Sequence, residues 1–334
     1  MPLDDTFNVT QVNQANQTGA LDALVIEEFT GMVEGTIERR SIMQGMVPVR
    51  RIRGTDTFTN RAVGESTLQR VVAGAPLDGI RSDFAKNSVT VDTVIAAREA
   101  FALLDVFLTN IDVRREVAVE QGKRISKFWD QAFFIQAIKA ALLTQSSFSG
   151  GVSGRPTGHF GGNQEVLAAP GDLQDPARLY AALARLMVKF EARDVDPRND
   201  DLMIVVRPAE YYTLIQAEQL VNTEYTTAAG NKVNDAWVLK TYGVPVFSSN
   251  NLPAGLNITG HLLSNAGNGN AYDGDFTNLG ALAFSPRAIM AGEAIPLESD
   301  IFYDKISKSW LVDSHLSFAV GPNRAEFAGA ILRA

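Results

Sequence analysis

The sequence predicts one uninterrupted α-helix from Asp112 to about Leu143. At 1.5 Å per residue, roughly 32 residues form a helix about 48 Å long, which is longer than a small domain is wide. Thr109 is the expected N-cap, and Gly122 inside the helix costs about 1 kcal/mol relative to alanine. Apolar residues recur at helical spacing and charged residues occupy the other faces. The apolar positions are Val113, Val117, Ile125, Trp129, Ala132 and Leu142, and the charged ones are Arg114, Arg115, Glu120, Lys123 and Lys127. A helix of this length indicates a scaffold that spans a plate.

Composition limits the remaining possibilities. The 334 residues exceed the size at which one core stops growing, so two or more lobes are expected. The absence of cysteine excludes disulfides, thiolate nucleophiles and cysteine-based metal sites. No apolar run reaches about 18 residues, and the N-terminus lacks the basic and apolar regions of a secretory signal, so neither a membrane span nor secretion is expected. The net charge of −8 argues against a surface built to grip nucleic acid.

Charge is unevenly distributed near the N-terminus. Residues 1–38 contain seven acidic residues and no lysine or arginine, whereas residues 39–53 contain five arginines and no acid. One interpretation is an N-terminal arm that lies on an oppositely charged neighbour. The other is a solvated leader followed by a basic turn, because terminal charge blocks do not always bind partners.

The region 47–94 has the texture of an extended β-arm. Strands are predicted at 47–53 and 87–95, and Gly74, Pro76 and Gly79 break regular structure between them. Two strands with a long polar excursion have little apolar surface to bury by themselves, so the arm must rest on something else. The segment 98–108 is interpreted as a short apolar connection to the long helix.

After the helix, the pattern predicts a separate α/β lobe over 170–284. Its helices start at Pro176 and Pro208, because proline favours the first helical position. Its strands are expected at 201–206, in the stretch 243–253, and at 279–286. The glycine-rich segment 146–162 is interpreted as a linker or surface loop, because it lacks the GxxxxGK[ST] pattern and follows a helix.

The C-terminal part is the most regular β sequence. Runs at 294–304 and 310–320 alternate apolar and polar residues, which predicts a hairpin with one apolar face suited to covering one side of the long helix. The last residues supply one more strand, which could return to the α/β lobe and close its sheet.

No catalytic, cofactor-binding or metal-binding residue is indicated. The three histidines, His159, His261 and His315, lie in separate segments, and neither HExxH nor GxSxG occurs. His315 lies beside Asp313 on a polar strand face, where a solvated histidine is the usual occupant. Asp273 and Asp275 lack the spacing of an EF-hand loop, so calcium is disfavoured. An enzyme is therefore the weaker class of function.

Three short segments carry a resemblance to a known family. They are Asp112-Val113-Arg114 with Glu116, Gly122 and Asp130 at the helix start, GVPVFSSNNLP ending at Asn251-Leu252-Pro253, and the terminal run from Gly321 to Ala330. In their order and spacing they resemble the Hong Kong 97-type major capsid proteins of tailed double-stranded DNA bacteriophages, most closely those of short-tailed podoviruses. The resemblance covers about residues 50–334.

This resemblance implies an α+β capsid fold with four parts. They are an N-terminal arm (1–52), an extended loop or E-loop (53–97), a peripheral P-domain (98–165 and 285–320) with the spine helix 112–143, and an axial A-domain (166–284 and 321–334). It implies a structural, non-enzymatic subunit that assembles as hexamers and pentamers into an icosahedral head around double-stranded DNA. Lys86 is the only lysine in 53–97, so a non-covalent shell is expected.

The implied partners are other copies of the chain, a scaffolding protein during assembly, a portal at one vertex and, as an optional addition, a decoration protein. DNA would be enclosed without sequence-specific binding, and the virion would be made in the bacterial cytoplasm, with no cofactor and no membrane. Nine cations are the candidate inter-subunit contacts: Arg39, Arg40, Arg50, Arg51, Arg53, Arg61, Arg70, Arg81 and Lys86. Two alternatives stay open: an encapsulin-type nanocompartment shell, and a soluble α/β enzyme or binding protein with a pocket in 166–284.

Overall fold

The computed structural model describes residue 43 and residues 45–71, 79–103, 113–150, 154–217 and 239–334. Arg39, Arg40, the proposed N-cap Thr109 and most of the N-terminal charge block lie outside the described residues. The chain forms two compact units. The described residues of the first unit come from Asp92–Trp129 and Glu293–Phe318, and the second unit contains Ile42–Val91, Asp130–Gly292 and Ala319–Ala334.

The described part contains three α-helices and fourteen strands. The helices are α1 (Val113–Leu142), α2 (Pro176–Glu191) and α3 (Pro208–Ile215). The strands are β1 (Val49–Arg51), β2 (Thr57–Val63), β3 (Phe84–Thr90), β4 (Ile95–Ala102), β5 (Asn163–Val166), β6 (Met203–Val206), β7 (Leu239–Thr241), β8 (Val244–Ser248), β9 (Asn257–Ile258), β10 (Gly274–Asp275), β11 (Leu279–Phe284), β12 (Ile289–Asp304), β13 (Ser309–Pro322) and β14 (Ala328–Leu332).

The predicted C-terminal hairpin is confirmed, and it covers the long helix as expected. β12 and β13 lie in a four-stranded sheet of order β1-β12-β13-β4. The Phe318 ring lies 4.2 Å from the Trp129 ring of α1, centroid to centroid, and the Ser314 hydroxyl donates to Gln121 Oε1 at 3.1 Å. These contacts fix the apolar face of the hairpin on α1.

β4 contradicts the interpretation of 98–108 as a connection over residues 98–102, and residues 104–108 lie outside the described part of the chain. It pairs with β13 in antiparallel register, from Ile95 opposite Leu316 to Ala102 opposite Ser309. Arg98 forms a two-point ion pair with Asp313, with distances of 3.2 Å from Nε and 2.9 Å from Nη2. Pairing with the free edge of a long hairpin, which local sequence does not encode, makes this segment a strand.

The long helix is confirmed over Val113–Leu142, but the amphipathic interpretation is wrong for its C-terminal half. From Ala132 onward, nearly every side chain is buried, on all sides of the helix. Lys139 is half-buried there: its ammonium donates to the Ala271 carbonyl at 2.6 Å, and burial lowers its pKa. This half of α1 is therefore the core of the second unit, where an apolar surface all round is required.

The second unit is built on a six-stranded mixed sheet of order β5-β14-β11-β6-β8-β7. The predicted return of the terminal strand is confirmed, and β14 lies between β5 and β11 rather than at an edge. α2 and α3 begin at Pro176 and Pro208, as predicted, and the Asp175 carboxylate caps α2 by accepting from the Ala177 and Arg178 amides. The lobe expected over 170–284 thus obtains two of its strands from outside that range.

The β-arm differs in detail from the prediction. β2 and β3 form an antiparallel ladder from Thr57 opposite Thr90 to Val63 opposite Phe84. β2 was not expected, and the strand predicted over 87–95 ends at Thr90, before β4 begins at Ile95. The local alternation of TFTNRAV was the available signal for β2, since period-two burial is typical of a strand with one covered face.

Candidate inter-subunit surface

The two faces of the β2–β3 ladder have opposite environments. Burial alternates along both strands, so that one face is covered by other parts of the second unit and the other is turned toward solvent. We name the solvent side the outer face; it consists of Thr59, Arg61, Val63, Phe84, Lys86 and Ser88. Phe84 is 68% exposed there. Val63, directly opposite Phe84 in the ladder, is exposed as well, and a contiguous exposed apolar patch indicates an interaction surface.

The inner face rests on the same chain. Ala62 and Ala85 form a buried cluster with Phe148, which follows α1. Asn60 and Asn87, directly opposite each other in the ladder, donate to Asn323 Oδ1 at 2.7 Å and to the Pro322 carbonyl at 2.6 Å. The expectation that the arm needs an external support therefore applies to the outer face and the tip, because the base is already packed and hydrogen-bonded.

A close backbone approach fixes the end of the ladder. The Gly64 amide donates to the Asp83 carbonyl at 2.8 Å, and a Cβ at Gly64 would lie 2.9 Å from the Thr157 hydroxyl oxygen. The next residue, Glu65, donates its amide to the Thr157 carbonyl at 3.2 Å. The loop 154–162 thus holds the arm at the point where β2 ends.

The outer face brings two of the candidate cations together. Arg61 lies directly opposite Lys86 in the ladder, and both are exposed. Like charges directly opposite each other on a sheet face destabilise the pair, so this arrangement favours an acidic group that approaches from outside. Val63 and Phe84 form the next pair on the same face and are both exposed. The outer face therefore offers cationic and apolar contacts side by side.

The other candidate cations are placed separately. The Arg50 guanidinium lies 5.0 Å from the centroid of the Phe58 ring, and Arg51, Arg53, Arg70 and Arg81 are exposed. Among the described residues, none of the seven described candidates forms an ion pair with an acidic side chain. Their charges are available to a partner.

Apolar exposure continues toward the arm tip. Leu68 is 94% exposed, and Val71 and Ile80 are also exposed. Sequence reasoning singled out the cations of this segment and missed its apolar residues. A basic segment interleaved with exposed aliphatic residues was the signal that could have identified them.

The turn between β12 and β13 is a second exposed apolar point that sequence reasoning missed. The Asp304 carboxylate accepts hydrogen bonds from the Ile306 amide at 2.9 Å and the Ser307 amide at 3.3 Å. Its pKa is lowered mainly by the hydrogen bond from the Ser307 hydroxyl. Lys308 adopts φ +55°, which closes the turn, and Ile306 is left 89% exposed. The turn is thus ordered by its own hydrogen bonds while it presents an isoleucine to solvent.

Asp273, in the loop 264–278, has a structural role as a hydrogen-bond acceptor. Asp273 accepts from the Ser264 hydroxyl at 2.7 Å, the His261 amide at 2.9 Å and the Gly260 amide at 2.8 Å. These hydrogen bonds, the one from Ser264 first, lower the Asp273 pKa to about 2. Over the described ranges, no three His, Cys, Asp or Glu side chains are grouped so as to hold a metal ion. Nor does any helix in those ranges have the length and apolar character needed to span a membrane.

The three histidines have separate surroundings. His261 stacks on Tyr272 at 5.3 Å, and burial lowers its pKa. His315 lies 4.0 Å from Glu298, and His159 lies 3.5 Å from Glu326. The described residues that flank them form no nucleophile–histidine–carboxylate arrangement, and Ser314, beside His315, donates to Gln121.

Solved structures with the same fold come from phages, and two of the three that follow are capsid structures. The capsid protein of cyanophage P-SCSP1u aligns with a TM-score of 0.77 and 19% identity, over 98% of this chain and 99% of that one. The subunit of the mature capsid of bacteriophage PhiM1 aligns with a TM-score of 0.76 and 22% identity, over 92% of each chain. A chain from Mycobacterium phage Che8 aligns with a TM-score of 0.60 and 12% identity, over 93% of this chain and 98% of that one. No family model and no curated protein matches the sequence.

These alignments extend over nearly the whole of each chain, so they concern the complete arrangement of elements and not a shared substructure. The chain has the α+β fold of phage capsid proteins, which is the Hong Kong 97-type fold that the sequence resemblance implied. The prediction of fold class is confirmed.

Proposed function

We propose that this protein is a major capsid protein, a structural subunit without enzymatic activity that assembles into an icosahedral phage head around double-stranded DNA. The observation that carries the proposal is the likeness, over 98% of the chain, to the subunit of a cyanophage capsid. At 19% identity this likeness concerns the fold, and the chemistry of the arm supplies the independent argument.

The arm supports assembly because its outer face is unfavourable in isolation. Arg61 and Lys86 repel each other across the ladder, and Phe84 and Leu68 expose apolar area to water. Contact with a neighbouring subunit would bury the apolar side chains and neutralise the cations. Repetition of one such heterologous contact closes into rings, which is the geometry that hexamers and pentamers require.

The four-part division belongs to the same proposal. The N-terminal arm (1–52) and the E-loop (53–97) reach neighbouring subunits. The P-domain (98–165 and 285–320) and the A-domain (166–284 and 321–334) form the plate that tiles the shell. Self-association is non-covalent, and scaffolding protein, portal and decoration protein act as further partners.

The first experiment is sedimentation velocity on the expressed protein, followed by negative-stain microscopy of any fast-sedimenting fraction. We expect uniform shells, or sheets and tubes of hexameric rings. A species that remains a monomer or dimer, even after co-expression with the scaffolding protein, would contradict the proposal. Nucleic acid in shells from infected cells, rather than an enclosed enzyme, separates a phage head from a nanocompartment.

The basic segment before β2 allows a sharper test. Arg50, Arg51 and Arg53 are exposed, so replacing all three with glutamine should lower the free energy of unfolding of the monomer by no more than about 1 kcal/mol, the loss of the Arg50–Phe58 contact included. Assembly should decrease, because these side chains would no longer attract acidic groups of a neighbour. Raising the salt concentration of the wild type toward 1 M should produce the same defect, since the Debye length falls to about 3 Å. Normal shells from the triple variant would end the hypothesis for these arginines.

A further inference from the structure

His159 lies at the base of the arm with both ring nitrogens close to oxygen atoms. Nε2 is 3.2 Å from the carbonyl oxygen of Val63, the last residue of β2. Nδ1 is 3.5 Å from Oε1 of Glu326, in the short 3₁₀ turn before β14. The side chains of His159 and Glu326 are only 8% and 4% exposed. The imidazole therefore connects the arm to the terminal segment of the same chain.

The two oxygens can only accept hydrogen bonds. A carbonyl oxygen has no proton to give, and neither has an ionised carboxylate. A neutral imidazole carries one N–H, so it can satisfy Val63 or Glu326 but leaves its other nitrogen lone pair facing an oxygen. The imidazolium has two N–H groups and satisfies both acceptors. The geometry thus distinguishes the two protonation states of the ring.

Two arginines and a second glutamate lie near this pair. Arg324 Nε lies 3.1 Å from Glu326 Oε1, and Arg193 acts on Glu326 electrostatically while it donates to the Gly161 and Gly162 carbonyls. Glu65, on the arm, lies against Gly158. Phe148 contacts the ring of His159, with centroids 5.4 Å apart.

Glu326 itself lacks a well-directed donor. Within the described residues, neither of its carboxylate oxygens accepts a hydrogen bond of good geometry, and His159 Nδ1 is buried without one. Buried polar groups are normally hydrogen-bonded, and an exception indicates strain or a functional role. A small rotation of the protonated ring toward Glu326 would satisfy both groups together.

We propose that His159 is a proton-operated latch that ties the arm base to Glu326 when the ring is protonated and loosens it when the ring is neutral. Histidine is suited to this task because its protonated ring has one more N–H donor than its neutral ring. The Glu65 amide is hydrogen-bonded to Thr157 in the loop that carries His159. The rate of hydrogen exchange of this amide therefore indicates whether the latch is closed. This inference concerns the arm of a single chain and does not depend on the proposed shell function.

The test is amide hydrogen exchange of the intact chain at several pH values, expressed as protection factors so that the intrinsic pH dependence of exchange is removed. We expect protection at Gly64 and Glu65 to fall by about three- to tenfold between pH 5 and 8, the factor that one ordinary hydrogen bond provides. His159→Gln should remove this pH dependence, because glutamine does not titrate. His315→Gln, which changes a histidine of the first unit, should retain it.

Glu326→Gln provides the second arm of the experiment, and it serves alone if His159→Gln does not fold. A neutral amide can donate to the imidazole as well as accept from it, so protection at Glu65 should become independent of pH. A wild-type chain whose protection factors stay constant from pH 5 to 8 would overturn the proposal. So would a Glu326→Gln variant with the wild-type pH response.

Discussion

The Asn251 side-chain amide donates to Asp130 Oδ2 at 3.1 Å, and Asp130 is completely buried in α1. The other carboxylate oxygen accepts from the Met43 amide at 3.3 Å. One carboxylate therefore holds both the turn after β8 and the first described residue of the chain. Asp130 and Asn251 both lie in the segments on which the family resemblance was based.

Asp130→Ala should destabilise the monomer by about 1–3 kcal/mol through the buried Met43 amide, which loses its acceptor, and by a smaller amount through the half-buried Asn251 amide. Asp130→Asn keeps one acceptor oxygen and a similar shape, so it should lose less. Urea denaturation of both variants measures the difference. An alanine variant as stable as the wild type would refute this role of the carboxylate.

Two glycines near α1 should respond in opposite directions to alanine. A Cβ at Gly162 would lie 2.2 Å from the Ala141 carbonyl oxygen, so Gly162→Ala must displace backbone and should cost more than about 2 kcal/mol. A Cβ at Gly122, inside α1, would meet no neighbouring atom within 4 Å, so Gly122→Ala should stabilise the monomer by about 0.5–1 kcal/mol. Thermal unfolding of the pair provides an internal control. If both variants changed the melting temperature by the same amount, the backbone at Gly162 would not pack closely against α1.

Substitutions of two phenylalanines on opposite sides of the arm distinguish an effect on assembly from an effect on folding. Phe148 is 1% exposed under the inner face, so Phe148→Ala should lower the free energy of unfolding by about 3–5 kcal/mol. Phe84→Ser on the outer face should change it by less than about 0.5 kcal/mol and should reduce shell yield instead. Unfolding curves and sedimentation velocity on both variants measure the two effects. If Phe84→Ser assembled normally, the outer face would not be a contact surface.

The Asp273 hub makes a prediction for acid stability. Its pKa is about 2 in the folded chain against an ordinary value of 3.8, so the ionised carboxylate stabilises the fold above pH 3.8, and this contribution disappears as the pH falls toward 2. Asp273→Asn should therefore have a lower melting temperature than the wild type at pH 6. Near pH 2 the two proteins should melt at the same temperature. Melting curves across this range check it. If the difference in melting temperature between the variant and the wild type increased as the pH fell, the ionised Asp273 carboxylate would not stabilise the fold.

Much of the element order was predictable because its signals are local. Proline at the first helical position located α2 and α3, and a long proline-free run with helical periodicity located α1. Alternation located β12 and β13. β4 was not predictable in this way, because its strand conformation depends on pairing with β13 across 215 residues, as in the Arg98–Asp313 ion pair.

The candidate surface was predictable only in its charge. Exposed arginines follow from a basic segment, but which arm residues face outward depends on the register of β2 and β3, where a shift by one residue would exchange the two faces. That register is held by Asn60, which bonds to Asn323 across 263 residues. The residues next to Asn60 in the sequence do not predict that Asn323 is its partner.

By itself, the sequence determined the positions of the helices, the terminal hairpin and the alternating texture of the arm, since propensity and hydrophobic period act over a few neighbouring residues. The tertiary structure alone decided that α1 becomes a core helix, that Arg61 meets Lys86 on the outer face, and that His159 lies between Val63 and Glu326. The physical reason is that burial and hydrogen-bond satisfaction are properties of the assembled chain, in which residues far apart in sequence exclude water from one another.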